Sequence, residues 1–209
     1  MPNFIDLLKQ PLKNNRLDLP GSTIAQLAKY LDLLQTWNRA FNLTAITDPR
    51  EMVYLHIIDS LSVAPYLHGA RMLDVGSGAG LPGIPLALLH PKHHWVLLDK
   101  NSKKTRFQTQ AIAELGLKNV EAVHNRCEDF HPDACFDSIL SRAFGTLRMF
   151  VETTEHLLCT NGIFIAMKGK YPKEELNDLP SRFLTRNVTR LALQGIDAER
   201  HIVCISKEE

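Results

Sequence analysis

From Ser22 onward, Ile24, Leu27, Ala28, Leu31, Leu34 and Trp37 recur at helical spacing, with Gln26, Lys29, Asp32 and Gln35 on the opposite side. The pattern predicts an amphipathic helix. A second helix is announced by Asp48 as its cap, Pro49 at its first position and Glu51 in its first turn, and Met52, Leu55, Ile58 and Leu61 form its apolar stripe. Residues 1–68 therefore read as a helical segment, and residues 69–209 follow a different rule.

From Arg71 the apolar positions come in short runs. Met72, Leu73 and Val75 lead into a glycine cluster, Trp95 to Leu98 end at Asp99, and Val120 to Val123, Ser138 to Leu140 and Ile163 to Met167 have the same character. Between them lie helical stretches: Ile84 to Leu89, Ser102 to Leu115 stopped by Gly116, and one around Thr146 to Leu158. Strand and helix alternating in this way predict a doubly wound, mostly parallel sheet covered on both faces. Val188 to Leu193 and His201 to Ile205 break the alternation and predict an antiparallel pair at the sheet edge.

Composition narrows the partners. The 24 lysines and arginines outnumber the 23 acids by one, so contact with nucleic acid has to come from a local basic patch. Cys127, Cys135, Cys159 and Cys204 have neither the spacing of a zinc site nor the density of a disulfide framework, which suits a reducing cytoplasm. Met1 to Gln10 includes Asp6 and has no apolar run long enough for a signal peptide or a membrane span.

The most informative stretch is Asp74-Val75-Gly76-Ser77-Gly78-Ala79-Gly80, where the first strand hands over to a helix. Glycines there let the backbone turn tightly and approach a ligand. A dinucleotide fingerprint places its third glycine at position 81, where this chain has Leu81, so the spacing favours the class I methyltransferase (Rossmann-like) form over a dehydrogenase. Asp99, at the tip of the second strand, stands where a carboxylate reaches the ribose hydroxyls of an adenosyl ligand. Ser77, Gly78, Gly80 and Asp99 are the cofactor-site candidates that these residues themselves suggest.

The chain resembles the glucose-inhibited division protein B family, bacterial methyltransferases of a guanine N7 in small-subunit ribosomal RNA. The likeness rests on Trp37-Asn38, Asn42-Leu43-Thr44, His56-Ile57-Ile58-Asp59-Ser60, Asp74 to Pro85, Ser141-Arg142-Ala143-Phe144 and Lys168-Gly169, in that order over residues 35–170. It implies S-adenosylmethionine as cofactor, held by Gly76 and Leu81, by Cys127 and Glu128 after the third strand, and by Arg142 after the fourth. Arg142 and Arg126 are the implied catalytic-site arginines, and the implied partner is small-subunit ribosomal RNA or an assembling 30S particle, met in the cytoplasm by a monomer without metal or membrane. One departure stands out: where the family has a serine after the second-strand acid, this chain has Lys100-Asn101.

Methyl transfer is an in-line displacement, for which a protein chiefly aligns the reactants and excludes water. Guanine N7 has a free lone pair and needs no general base. The Ser141-Arg142-Ala143-Phe144 stretch lacks both the Asn/Asp-Pro-Pro-aromatic motif of amino-group methylation and a nucleophilic cysteine. Arg142 suits a carboxylate or phosphate, and Phe144 suits either base stacking or core packing. Lys100, Lys103, Lys104, Arg106 and Lys168 are candidate contacts for RNA phosphates, or else a solvated face. His56 and Asp59 are expected to pair with each other rather than to bind metal. The alternatives are a methyltransferase of another RNA or a small molecule, and a non-enzymatic RNA-binding module that keeps the fold.

Overall fold

The computed structural model describes residues 3–208. Helix begins earlier than the periodicity indicates. Helix α1 (Phe4–Asn14) is capped by Asn3, whose side chain accepts from the Ile5 amide, and it buries Phe4, Leu8 and Leu12. Pro11 inside it removes a backbone donor, which hides the helix from a search for an uninterrupted pattern. Helix α2 (Gly21–Phe41) buries the expected stripe, Leu27, Leu31 and Leu34 included, and ends where Asn42 turns left-handed.

The helix announced at Asp48 is composite. The Asp48 carboxylate accepts from the Arg50 and Glu51 amides and starts α3 (Pro49–Met52). A π-helical stretch (Val53–Ile58) follows, and α4 (Asp59–Leu61) completes the rod. A π turn takes up extra residues and re-aims the side chains around it, a device that recurs at functional sites. Here it carries His56 and leads directly to Asp59.

The sheet consists of β1 (Arg71–Val75), β2 (His94–Asp99), β3 (Val120–His124), β4 (Phe136–Arg142), β5 (Leu158–Lys168), β6 (Phe183–Arg190) and β7 (His201–Lys207). Their order is β3-β2-β1-β4-β5-β7-β6. The pairs from β3 across to β5 are parallel, while β7 runs antiparallel to both β5 and β6. The predicted antiparallel pair is thus present at the sheet edge, with β6 outermost, and one correction applies: its first member is Phe183–Arg190 rather than Val188–Leu193. The edge strand exposes Leu184, Arg186 and Asn187, so its apolar alternation is weak, whereas β7 is buried from His201 to Ser206.

Helices α5 (Gly83–Leu89), α6 (Ser102–Leu115), α7 (Leu147–Thr154) and α8 (Lys173–Asn177) complete the fold. One apolar cluster joins the N-terminal helices to α5 and α6 through Leu31, Ile57, Ile84 and Phe107. Another packs α7 against the sheet through Leu73, Phe150, Phe164 and Val203. Strand order reverses between β1 and β4, and in such sheets the crevice beyond the carboxyl ends of the strands is where ligands bind.

The four cysteines are too sparse for a disulfide framework and suit a reducing compartment, yet Cys135 and Cys159 are joined, with Cα atoms 5.0 Å apart. Sheet pairing explains the bond: Phe136 is in register with Leu158, which brings the residues flanking them together. Cys127 and Cys204 are free and buried.

Candidate active site

At the end of β1, Asp74 is fully buried and accepts from the Ser77 hydroxyl at 2.6 Å and from the Gly83 amide at 2.9 Å, which closes the glycine loop on itself. Burial pushes its carboxyl up to about 6, against the pull of these two donors. Its Oδ1 is buried without a partner among the described residues. Gly76, Gly78 and Gly80 all have positive φ, and a Cβ on Gly80 would run into the Ile84 side chain.

Gly78 is held from two sides. Its amide donates to Asp99 Oδ2 at 2.8 Å, and its carbonyl accepts from Gln108 of α6 at 2.9 Å. Tyr30 of α2 adds a third support by donating to the Ala79 carbonyl at 2.7 Å, so the helical segment is part of the loop's foundation. Asp99 Oδ1 accepts from the Asn101 amide at 2.8 Å. A carboxylate offers about four lone-pair positions, so capacity remains for the two hydroxyls of a ribose.

Beside the loop opens a cavity of about 420 Å³, lined by Gly76, Leu98, Asp99, Asn125, Cys127, Glu128, Ala143, Phe144, Met149 and Thr153 together with Lys100, Lys104 and Arg126. It brings together Gly76, Asp99, Cys127 and Glu128 from the expected cofactor set, and Arg126 with them. Ser77, Gly78, Gly80 and Leu81 do not line it: Ser77 turns back to Asp74, and Leu81 is packed in the core. Burial and the neighbouring Glu128 push the Cys127 thiol up to about 12, so it forms a protonated wall rather than a nucleophile. Another cavity, about 540 Å³ between α2 and the far end of α6, has no glycine loop and Lys118 as its one charged lining residue.

Arg142 does not line the cavity either. Its Nη1 donates to the Leu55 carbonyl at 2.9 Å and lies 3.4 Å from Asp59 Oδ2, while Asp59 Oδ1 accepts from Arg200 Nε at 2.9 Å. The expected His56–Asp59 pair is therefore absent. His56 Nε2 lies 3.2 Å from the Thr44 hydroxyl, and Asn38 fixes Thr44 by donating to its carbonyl and accepting from its amide. Burial, reinforced by Arg142, pushes the His56 imidazole down to about 4, which keeps it neutral.

After β4 the chain adopts a strained turn, with Ala143 at φ 63° and Gly145 at φ 118°. The turn lays Phe144 over Gly76, whose Cβ, if present, would lie 3.1 Å from the ring. Phe144 also meets Phe150 edge-on, ring centres 6.1 Å apart, so packing and cavity wall are one role here. Lys168 secures the same turn. Its ammonium donates to the Gly145 carbonyl and to Glu175, both at 2.7 Å, and Glu175 in turn accepts from the Leu147 amide that begins α7. Lys168 thus belongs to this internal clasp and not to an outward patch. Lys100, Lys103 and Arg106 are exposed, and Lys104 is half-buried at the cavity.

Sequence reasoning missed Tyr30, Gln108 and Arg200. Tyr30 and Gln108 look like ordinary helix residues, and Arg200 meets Asp59 across 141 positions of chain, so no local pattern marks them.

The profile of the rRNA small subunit methyltransferase G family matches residues 23–203. The chain belongs to this family. Proteins called ribosomal RNA small subunit methyltransferase G are 51% identical over 183 residues in Hydrogenovibrio crunogenus, covering 88% of this chain and 85% of that one. They are 47% identical in Pseudomonas syringae pv. tomato, covering 91% and 90%, and 44% identical in Marinobacter nauticus, covering 100% and 97%. The glycopeptide N-methyltransferase MtfA complexed with S-adenosyl-L-methionine shares the fold with a TM-score of 0.63 at 12% identity, over 72% of this chain and 93% of that one. TrmN from Thermus thermophilus does so with a TM-score of 0.59 at 19% identity, over 82% and 53%.

Like the family, the protein is an S-adenosylmethionine-dependent methyltransferase of class I fold. Its residues suit the cofactor: Asp99 retains acceptor capacity for a ribose, and Gly76, Leu98 and Cys127 give the cavity uncharged wall. Among the described residues no group of three or more His, Cys, Asp or Glu is placed to hold a metal ion, and no helix is long and apolar enough to cross a membrane.

Proposed function

We propose that this rRNA small subunit methyltransferase G family member transfers a methyl group to N7 of a guanine in small-subunit (16S) ribosomal RNA, acting in the cytoplasm as a monomer on the RNA or an assembling 30S particle. One observation carries the reading: two of the stretches that carry the family likeness, the glycine loop at Gly76 and the turn at Ala143-Phe144, meet at the cavity of about 420 Å³ whose lining includes Lys100, Lys104 and Arg126. S-adenosylmethionine supplies an electrophilic sulfonium methyl, so the chain has to orient rather than activate.

Asp99 would hold the ribose, and Cys127 and Glu128, which line the same cavity, would hold the rest of the adenosyl group. Phe144, clasped over Gly76 by the Lys168–Glu175 pair, closes the wall and offers a ring face to an extruded base. Arg142 is fixed by Leu55 and Asp59 through one nitrogen, and its Nε and Nη2 have no partner among the described residues. That leaves a guanidinium edge for the cofactor carboxylate or an RNA phosphate. Guanine N7 attacks through its own lone pair, which agrees with a cavity whose cysteine stays protonated. Mass-spectrometric mapping of small-subunit RNA from cells with and without the gene tests the reading: loss of one N7-methylguanosine is expected, and identical maps overturn it.

A further inference from the structure

Two stretches that are far apart in the chain both lack acid. Residues 33–47 contain Arg39, residues 100–113 contain Lys100, Lys103, Lys104 and Arg106, and neither contains an aspartate or a glutamate. The fold brings them together. Lys29 of α2 donates to the Glu114 carbonyl of α6, while Trp37 packs on Phe107 with ring centres 5.7 Å apart, so the two helices run antiparallel. One turn further along each helix come Phe41 and Lys103, on the same faces as Trp37 and Phe107.

Among the described residues Phe41 is one of five large apolar side chains left exposed, at 40%, and it leans on Trp37 with ring centres 5.1 Å apart and planes tilted by 32°. Arg39, Lys100, Lys103, Lys104 and Arg106 are in no ion pair among the described residues, in contrast with Lys168. An exposed aromatic ring beside the helix turn that carries Lys103 and Lys104, with no acid in either stretch, matches single-stranded nucleic acid: bases stack on the ring and phosphates follow the charges.

We propose that the Trp37–Phe41 pair is a stacking step for an unpaired base of the substrate RNA, set beside the cationic first turn of α6 and outside the methyl-transfer cavity. The assignment rests on RNA being the substrate and adds where a flanking nucleotide is gripped. It gives the N-terminal helical segment a direct share in recognition besides its support of the glycine loop.

The test measures affinity for an unmodified small-subunit RNA transcript at several salt concentrations, with S-adenosylhomocysteine calorimetry and melting on every variant. Phe41→Leu, which keeps apolar bulk but loses the ring, is expected to weaken RNA binding about tenfold with cofactor affinity and salt slope unchanged, while Phe41→Tyr binds within about twofold of the parent. Lys103→Glu is expected to weaken binding and flatten the salt slope. A reading that needs no variant is tryptophan emission: Trp95 is fully buried and Trp37 is not, so single-stranded oligoadenylate should quench Trp37. Parent-like affinity in Phe41→Leu, an equal loss in Phe41→Tyr, or emission unmoved at saturating RNA overturns the stacking step. A parent that binds S-adenosylhomocysteine but no RNA overturns the RNA reading itself.

Discussion

Asp74 and His56 are both buried and both feel the charge of Arg142, and their titrations oppose each other. The Asp74 carboxyl rises from 3.8 to about 6 on folding, so the native state holds its proton more tightly and the stability this contributes is lost as pH rises through 6. The His56 imidazole falls from 6.5 to about 4, so its contribution is fully present above 6.5 and is lost as pH falls through 4. Each amounts to about 3 kcal/mol. Asp74→Asn is therefore expected to gain stability relative to the parent as pH rises from 4 to 6, and His56→Gln as pH falls from 6.5 to 4. Denaturant titrations across pH read both, and curves parallel to the parent contradict the assignment. Residues of this kind were half legible: Asp74 was visible as the acid before a glycine loop, but its burial and its unpartnered oxygen belong to the folded state.

At the scale of elements, the junction between the helical segment and the sheet passes through Asp59. This carboxylate, 5% exposed, meets Arg142 from the end of β4 and Arg200 from the turn before β7. Asp59→Asn removes the charge that holds both guanidinium groups, and a charge-assisted bond of this kind is worth roughly 1.5–3 kcal/mol. Methylation of the RNA transcript is expected to fall about tenfold or more, while Arg200→Met, which leaves the Asp59–Arg142 contact in place, retains most of the rate. Equal losses in the two variants would mean that Asp59 serves packing alone. The helices and strands themselves were mostly legible, because Leu27, Leu31 and Leu34 or Met72, Leu73 and Val75 repeat at periods set by backbone geometry. Helix α1 was hidden by Pro11, the π stretch by an apolar stripe that continues through it, and β6 by its polar, solvent-facing alternation.

For the molecule as a whole, the turn after the first strand was readable from Gly76, Gly78 and Gly80, because positive φ favours glycine, yet of these only Gly76 lines the cavity, with Asp99 opposite it. The Cys135–Cys159 link was not readable, because it depends on the register of β4 with β5. The link lies at the starts of these strands, away from the cavity beyond their carboxyl ends. Under oxidising conditions Cys135→Ser is expected to lower unfolding free energy by about 3 kcal/mol, with S-adenosylhomocysteine affinity unchanged; a changed affinity would connect the two ends of the sheet.

Chain order and sheet order disagree at one place: β7 follows every other strand in the chain yet sits between β5 and β6. During synthesis, a nascent polypeptide that stops short of His201 has a gap in its sheet, with the flank of β5 bare and β6 deprived of its neighbour. Such an unfinished product presents open backbone hydrogen-bonding groups to other chains, so insertion of the final strand marks the moment at which the polypeptide stops being adhesive.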